Sequence, residues 1–555
     1  MDDESLHGGQ HIVDSARAAG VTSVFTLSGA HVFPVYDAAV GGKVRVESTP
    51  DRRVVEREGP LRLVDTRHEQ TAVFTAEAVG RLTRAPGFAA VTAGPGVTNA
   101  VSGIATAWFN RTPLVVLGGR SPDSRWGQGA LQELDQPPLL ASITKDAWTT
   151  HDVAQIRGDA DRAFRLAASV RRGPVFWDIP IDAIYGSAPR VHLDEVDASR
   201  APEPDPDTLV RAAHLFDAAK RPLVVLGSGV WMSDAVEAAR HLVSGRGVPV
   251  IANGMGRGVI PSSDPRLVTR ARSAAFREAD LVLVVGAPLD FRLGYGVFGD
   301  PGAPVVHIVE HPDDAVPAAT VEVAVVGDLS AALEHLADGP SVDDAWATRL
   351  HDAARAAVDA DRADLESTSD PIHPARIYGE LLPRLTSDAV VIGDGGDFVS
   401  FAGRYIEPDQ PGRWLDPGPY GCLGTGPGFA LAAGITHPGA PLFLLMGDGA
   451  AGFAMSDIDT LVRHRIPAVI VVGNNAGWAL EKHPMRWLYG YDVIADLPST
   501  HYDEIAIALG GGGETVSDPA QIGPALDRAM ASGMPYLVNV LTDPEVAYPR
   551  STLGI

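Results

Sequence analysis

Apolar runs bounded by turn residues alternate along this chain with stretches whose apolar positions recur at helical spacing. Pro441 to Met446 is one such run, Ala454, Ile458, Leu461 and Val462 repeat at helical spacing, and Ala468 to Val472 is a second buried strand. Together they predict a βαβ unit with neighbouring parallel strands. Arg62 to Asp65 reads as another strand, followed by a helix over 70–80 with Glu69 at its mouth. Two stretches interrupt the alternation. Ala201-Pro202-Glu203-Pro204-Asp205-Pro206-Asp207 reads as a linker, because its prolines continue neither helix nor sheet. Residues 342–370 are rich in alanine and charge and read as a surface helix running into a polar connector. These breaks predict three α/β domains with Rossmann-like parallel sheets, at roughly 1–190, 200–340 and 365–540, followed by a tail over 541–555.

Gly447-Asp448-Gly449-Ala450 ends the first strand of that βαβ unit. Gly473-Asn474-Asn475-Ala476-Gly477 ends the second, which puts Asp448 and Asn475 27 positions apart. Ligands bind at the carboxyl edge of parallel sheets, and glycines there let backbone N–H groups approach a phosphate at a helix start. One carboxylate, one amide oxygen and a backbone carbonyl offer a hard cation three oxygens, leaving its other positions for diphosphate and water, as Mg²⁺ prefers. Each motif alone is common in turns; the joint placement carries the information.

At 555 residues the chain is too long for one core. A formal charge of -25 opposes nucleic-acid and anionic-membrane partners. Only Lys43, Lys145, Lys220 and Lys482 are lysines, so any anion-binding patch must be built from arginine. The single cysteine, Cys422, excludes an internal disulfide and fits a reducing cytoplasm. No stretch approaches the ~20 apolar residues of a membrane span. The expectation is a cytoplasmic protein with neither a nucleic-acid nor a membrane partner.

The GDG-to-NN interval resembles that of the thiamine diphosphate (ThDP) enzymes, and the three-part layout resembles their pyrimidine-binding, middle and diphosphate-binding domains. The resemblance implies that Asp448, Asn475 and the Gly477 carbonyl hold Mg²⁺, while Gly449, Ala450, Gly396 and Asp397 meet the diphosphate. Glu69, alone, reads as a helix-start carboxylate favoured by the dipole by ~0.3 to 1 kcal/mol. Its setting, His68-Glu69 and then Ala93-Gly94-Pro95-Gly96-Val97-Thr98-Asn99, resembles the family's activating glutamate, with Pro95 and Asn99 beside the cofactor. Gly421-Cys422-Leu423-Gly424 resembles the segment that bends it: Leu423 is the wedge and the Gly421 carbonyl the acceptor for the pyrimidine amino group. By the same resemblance the cofactor lies between subunits of a homodimer or homotetramer.

For the reaction, Trp478-Ala479-Leu480-Glu481-Lys482-His483-Pro484-Met485 looks like the corresponding segment of 2-hydroxyacyl-CoA lyases. Glu481 reads either as an acid–base group or as an exposed helix-start residue paired with Lys482, and His483 is the reserve for the same proton. Leu131-Gln132 stands where related oxalyl-CoA decarboxylases have Tyr-Glu, which disfavours a dicarboxylate. Gln132 is then a hydrogen-bond donor to the substrate, or a plain loop residue. Arg404, Arg413 and the tail's Arg550 are candidates for acyl-CoA phosphates, with 541–555 as a lid. The implied activity cleaves a 2-hydroxyacyl-CoA, such as 2-hydroxyisobutyryl-CoA, to formyl-CoA and a ketone or aldehyde. An acetolactate synthase, suggested by Ser28-Gly29-Ala30-His31, is the rival. An oxalyl-CoA decarboxylase-like enzyme, a non-catalytic relative and a Rossmann oxidoreductase stand further off. In the middle domain Pro288 and Val309-Glu310-His311 depart from the pattern of relatives that bind ADP or FAD, which predicts a structural or vestigial domain.

Overall fold

The computed structural model describes residues 5–41, 44–49, 52–57, 59–191, 200–299, 302–315 and 320–548. Three parallel sheets organise them. The first contains β1 (Ser23–Thr26), β2 (Arg62–Asp65), β3 (Gly87–Val91), β4 (Leu114–Arg120), β5 (Ala147–Thr149) and β6 (Pro174–Pro180), in the order β2-β1-β3-β4-β6-β5. The second contains β7 (Pro222–Leu226), β8 (Val250–Ala252), β9 (Leu281–Val285), β10 (Val305–Val309) and β11 (Val321–Val326), in the order β8-β7-β9-β10-β11. The third contains β12 (Val390–Asp394), β13 (Trp414–Leu415), β14 (Leu442–Gly447), β15 (Val469–Asn474), β16 (Gly512–Val516) and β17 (Tyr536–Leu541), in the order β13-β12-β14-β15-β17-β16. The α/β fold with three parallel-sheet domains is as the alternating pattern predicts. The first and third sheets repeat one winding: the second strand lies outside the first, the third reverses direction across the sheet, and the last two exchange places. No sequence repeat announces this.

That reversal opens a crevice at the carboxyl ends of β12 and β14, where the chain leaves to opposite sides. Asp394 ends β12 and pairs with Met446, two residues before Asp448. A Cβ on Gly395 would lie 3.3 Å from the Gly447 nitrogen, so the two turns touch through backbone.

Helices α1 (Glu69–Thr83) and α2 (Pro95–Asn110) follow β2 and β3, α3 (Asp344–Leu365) joins the second and third domains, and α4 (Asp397–Tyr405) follows β12. Then come α5 (Gly426–Thr436), α6 (Asp448–Ala454) and α7 (Ala479–Tyr489). Helix α5 is apolar on all sides, as a fully buried helix must be, and it packs on α1. Phe74 meets Phe429 edge to face at 6.2 Å, and a Cβ on Gly428 would lie 3.1 Å from the Thr71 carbonyl. The outer domains therefore share one hydrophobic core.

Two local expectations need correction. Pro206 opens a helix, Pro206–Ala218, with the Asp205 carboxylate accepting from the Thr208 N–H at 2.9 Å, because proline suits a first helical position. The helical repeat through Ala454 and Val462 is broken at 455–457. There the buried Asp457 carboxylate accepts from the Arg67 N–H and the Thr71 hydroxyl of the first domain, and that tertiary pairing turns the chain. The surface helix expected after 342 is α3, though Asp361 on it is buried. Among the described residues no helix is long and apolar enough to cross a membrane.

Candidate active site

The predicted residues gather at two sheet edges. At the carboxyl edge of the first sheet, His68 caps α1, its Nδ1 accepting from the Gln70 N–H at 3.1 Å, and this holds Glu69 in the first turn. Glu69 is only 6% exposed, and its carboxylate accepts from the Asn99 amide at 3.0 Å. Pro95 opens α2 one turn before Asn99. Gln132 joins them from a loop: it adopts φ +62°, and a Cβ on Gly94 would lie 3.0 Å from its own Cβ. Gln136, fully buried, fastens that loop by accepting from the Gly94 N–H at 2.7 Å and donating to Asp178 at 2.7 Å. Leu131 points outward, 80% exposed.

At the carboxyl edge of the third sheet, Asp448 is 3% exposed and accepts from the Gly477 N–H at 3.0 Å. Burial raises its carboxyl to about 6, partly countered by backbone hydrogen bonds. The Asn475 Oδ1 is buried with no hydrogen-bond partner among the described residues. A desolvated carboxylate and an orphaned amide oxygen at the ends of adjacent strands suit a small hard cation. Asn474 has a different job, its amide donating to the Thr500 carbonyl and to Asn539.

Around this pair, Gly396 lies under Leu480, whose Cδ1 a Cβ would meet at 2.1 Å, and the Asp397 carboxylate accepts from the Tyr548 N–H. Gly449 and Ala450 begin α6. Gly421 is exposed with φ +72°, and Leu423 is half-buried beside it. Glu481 is exposed in the first turn of α7, and buried Lys482 donates to Asp496 at 2.9 Å. The Nε2 of His483 is buried without a hydrogen-bond partner among the described residues.

Arg404 and Arg413 have other neighbours. Arg404, at the far end of α4, shares the buried Asp361 with Arg270. Arg413 precedes β13 and lies by Asp388 and His437, at the amino edge opposite Asp448. Arg550, with the tail beyond Tyr548, lies outside the described residues.

Sequence reasoning missed three groups here. The Tyr502 hydroxyl donates to the Asp448 carbonyl at 2.8 Å, and Phe453 meets Trp478 edge to face. Trp478 itself covers the glycine turn: a Cβ on Gly449 would strike its ring at 2.4 Å. An aromatic three residues past the asparagine pair was visible, but nothing local said that it folds back.

In the middle domain a cleft of about 420 Å³ opens between Ser228, Gly286–Pro288, Phe291 and the first domain. Glu310 pairs with Arg172 at 3.0 Å, Asp314 with Arg111 at 3.0 Å and Arg171 at 3.1 Å, and Asp313 with Arg171 at 2.9 Å. Acidic groups after β10, where a nucleotide ribose would be read, are thus held by arginines of the first domain.

Three descriptions of the thiamine pyrophosphate enzyme match the chain: its N-terminal TPP binding domain over 6–139, its central domain over 209–336 and its C-terminal TPP binding domain over 394–540. A "Probable acetolactate synthase" of Mycobacterium bovis is 46% identical over 99% of this chain and 98% of its own. "2-hydroxyacyl-CoA lyase 2" of Mus musculus is 33% identical over 92% of this chain and 85% of its own, and that of Homo sapiens 32% over 96% and 90%. Matched through all three sheets and along nearly its whole length, the chain belongs to the thiamine pyrophosphate enzyme family.

Proposed function

We propose that this chain is a ThDP- and Mg²⁺-dependent carbon–carbon lyase that cleaves a 2-hydroxyacyl-CoA to formyl-CoA and a ketone or aldehyde. The observation that carries the reading is the placing of Glu481, exposed in the first turn of the helix that follows Gly477. A carboxylate at that mouth suits removal of a substrate hydroxyl proton as the adjacent carbon–carbon bond breaks. ThDP, when bound, supplies a nucleophilic carbon and an electron sink. Asp448, Asn475 and the Gly477 carbonyl would hold Mg²⁺. Glu69, oriented by Asn99, would hydrogen-bond the pyrimidine, and Leu423 would bend the cofactor. Gln132 would hold a substrate oxygen, with His483 second to Glu481 for the proton. Pairing of subunits would bring Glu69 of one to Asp448 of another; the apolar Leu131, Phe453 and Trp487, all more than half exposed, suit burial against a second copy.

The relative at 46% identity favours a second reading, acetolactate synthesis from pyruvate. Relatives named as 2-hydroxyacyl-CoA lyases favour the first, as does a middle-domain cleft whose acidic groups are held in ion pairs. Parallel incubations with ThDP and Mg²⁺ separate them. With 2-hydroxyisobutyryl-CoA, formyl-CoA and acetone are expected by mass spectrometry; acetolactate from pyruvate with no formyl-CoA would reverse the assignment. Glu481→Gln should slow turnover by on the order of 100-fold and leave ThDP affinity unchanged. Equal turnover would remove Glu481 from the chemistry.

The buried Asp448 also predicts a pH dependence. Its folded pKa, about 6, lies above the ordinary 3.8, so the native state binds more protons than the unfolded chain between those values. Stability of the metal-free protein should therefore fall as pH rises through that window, by on the order of 3 kcal/mol in all. Mg²⁺ removes the cost by pairing with the carboxylate. The rise in Tm on adding Mg²⁺ and ThDP should accordingly grow from about pH 5 to about pH 7; a constant rise would place the metal elsewhere.

A further inference from the structure

Asp394, the last residue of β12, is wholly buried, and among the described residues it is hydrogen-bonded by backbone N–H groups. One carboxylate oxygen accepts from Gly424 at 3.1 Å and the other from Gly426 at 2.8 Å. Desolvating a carboxylate with no cation beside it is costly, and the amides at the start of α5 only partly offset it. Its carboxyl is accordingly pushed up to about 7. The two amides flank Thr425, fully buried, and begin one residue after Leu423. The segment is fixed on its other side too. Gly424 has φ +81°, and a Cβ there would lie 2.6 Å from the Phe453 Cβ; a Cβ on Gly426 would lie 2.7 Å from Leu444 and 3.1 Å from the Asp394 carboxylate. Residues 424–426 are thus clamped between β12, β14 and α6. Gly421, three residues earlier, has φ +72° and open space where a Cβ would be. Leu423 directly precedes this clamped stretch.

We propose that Asp394 is a positioning residue that, through the Gly424 and Gly426 amides, sets the place of Leu423 against the cofactor. The proposal rests on the ThDP reading of this site and is independent of which carbon–carbon bond is cleaved. Asp394→Asn keeps the side chain's shape but exchanges one acceptor for a donor that faces a backbone N–H. Leu423→Ala removes the wedge and leaves the clamp.

The test combines these substitutions singly and together, with Mg²⁺ present. It reads ThDP affinity by tryptophan fluorescence, and activation as the rate at which the thiazolium C2 proton exchanges for deuterium. At about pH 8, where the Asp394 carboxyl is mostly ionised, Asp394→Asn alone should weaken binding and slow exchange by roughly 10- to 100-fold, the size of a lost hydrogen bond to a charged group. In the Leu423→Ala background it should add less than about 2-fold, because both act through one contact. An effect of Asp394→Asn that multiplies undiminished in that background would make it a fold-stabilising group only and overturn the proposal, as would unchanged binding and exchange. Wild-type protein that binds no ThDP would instead sink the cofactor reading. Should Asp394→Asn fail to fold, hydrogen exchange in wild-type protein decides: the Gly424 and Gly426 amides should be protected, and fast exchange at both would overturn the clamp.

Discussion

Glu69→Gln is expected to lower turnover by about 10²- to 10⁴-fold while ThDP and Mg²⁺ still bind, the range for losing a positioned proton-transfer group. Glutamine has the same shape, and its amide oxygen can keep the 3.0 Å hydrogen bond from Asn99. What it cannot do is exchange a proton with a pyrimidine nitrogen. Glu69 is buried at a helix start, so bulk water substitutes poorly for it. Steady-state kinetics with 2-hydroxyisobutyryl-CoA, alongside calorimetric titration of ThDP, separates catalysis from binding. A variant with wild-type turnover would leave Glu69 as nothing more than a dipole-favoured carboxylate.

Asp448→Asn should act in opposite directions on the empty and loaded protein. An asparagine oxygen can still accept from the Gly477 N–H, so the contact between the β14 and β15 turns survives. The buried charge disappears, and at neutral pH the metal-free variant should be more stable than wild type by up to about 3 kcal/mol. Mg²⁺ and with it ThDP should bind on the order of 100-fold more weakly or worse, since a buried charge partner has been removed. Thermal melts with and without Mg²⁺ and ThDP read both effects at once. Undiminished Mg²⁺-dependent ThDP affinity would show that the cation is held by other groups.

These two residues also show how legible the chain was. Glu69 and Asp448 each stand where an apolar run ends and a helical repeat begins, a signal contained within a dozen residues. The structure sets both at carboxyl edges of parallel strands. Arg404 shows the opposite case. Nothing in its local segment points to Asp361, 43 positions earlier on a different helix, which pairs with its guanidinium. Trp478 and Tyr502 likewise acquire their places around Asp448 only when the chain folds back. So does Asp457, whose contact with Arg67 spans 390 positions and breaks a helix that the local pattern runs straight through.

The sequence by itself determined the α/β class, the placing of the Gly-Asp-Gly and Asn-Asn turns after strands, and a net charge of -25. Strand and helix periods and turn residues act over a few positions, so they are written locally. Only the tertiary structure decided that the outer sheets share one winding and one core, which acidic and basic groups pair, and that the Asn475 oxygen is buried with no partner among the described residues. Those outcomes depend on which surfaces meet across hundreds of residues, where burial and charge pairing are settled jointly and no local pattern fixes them.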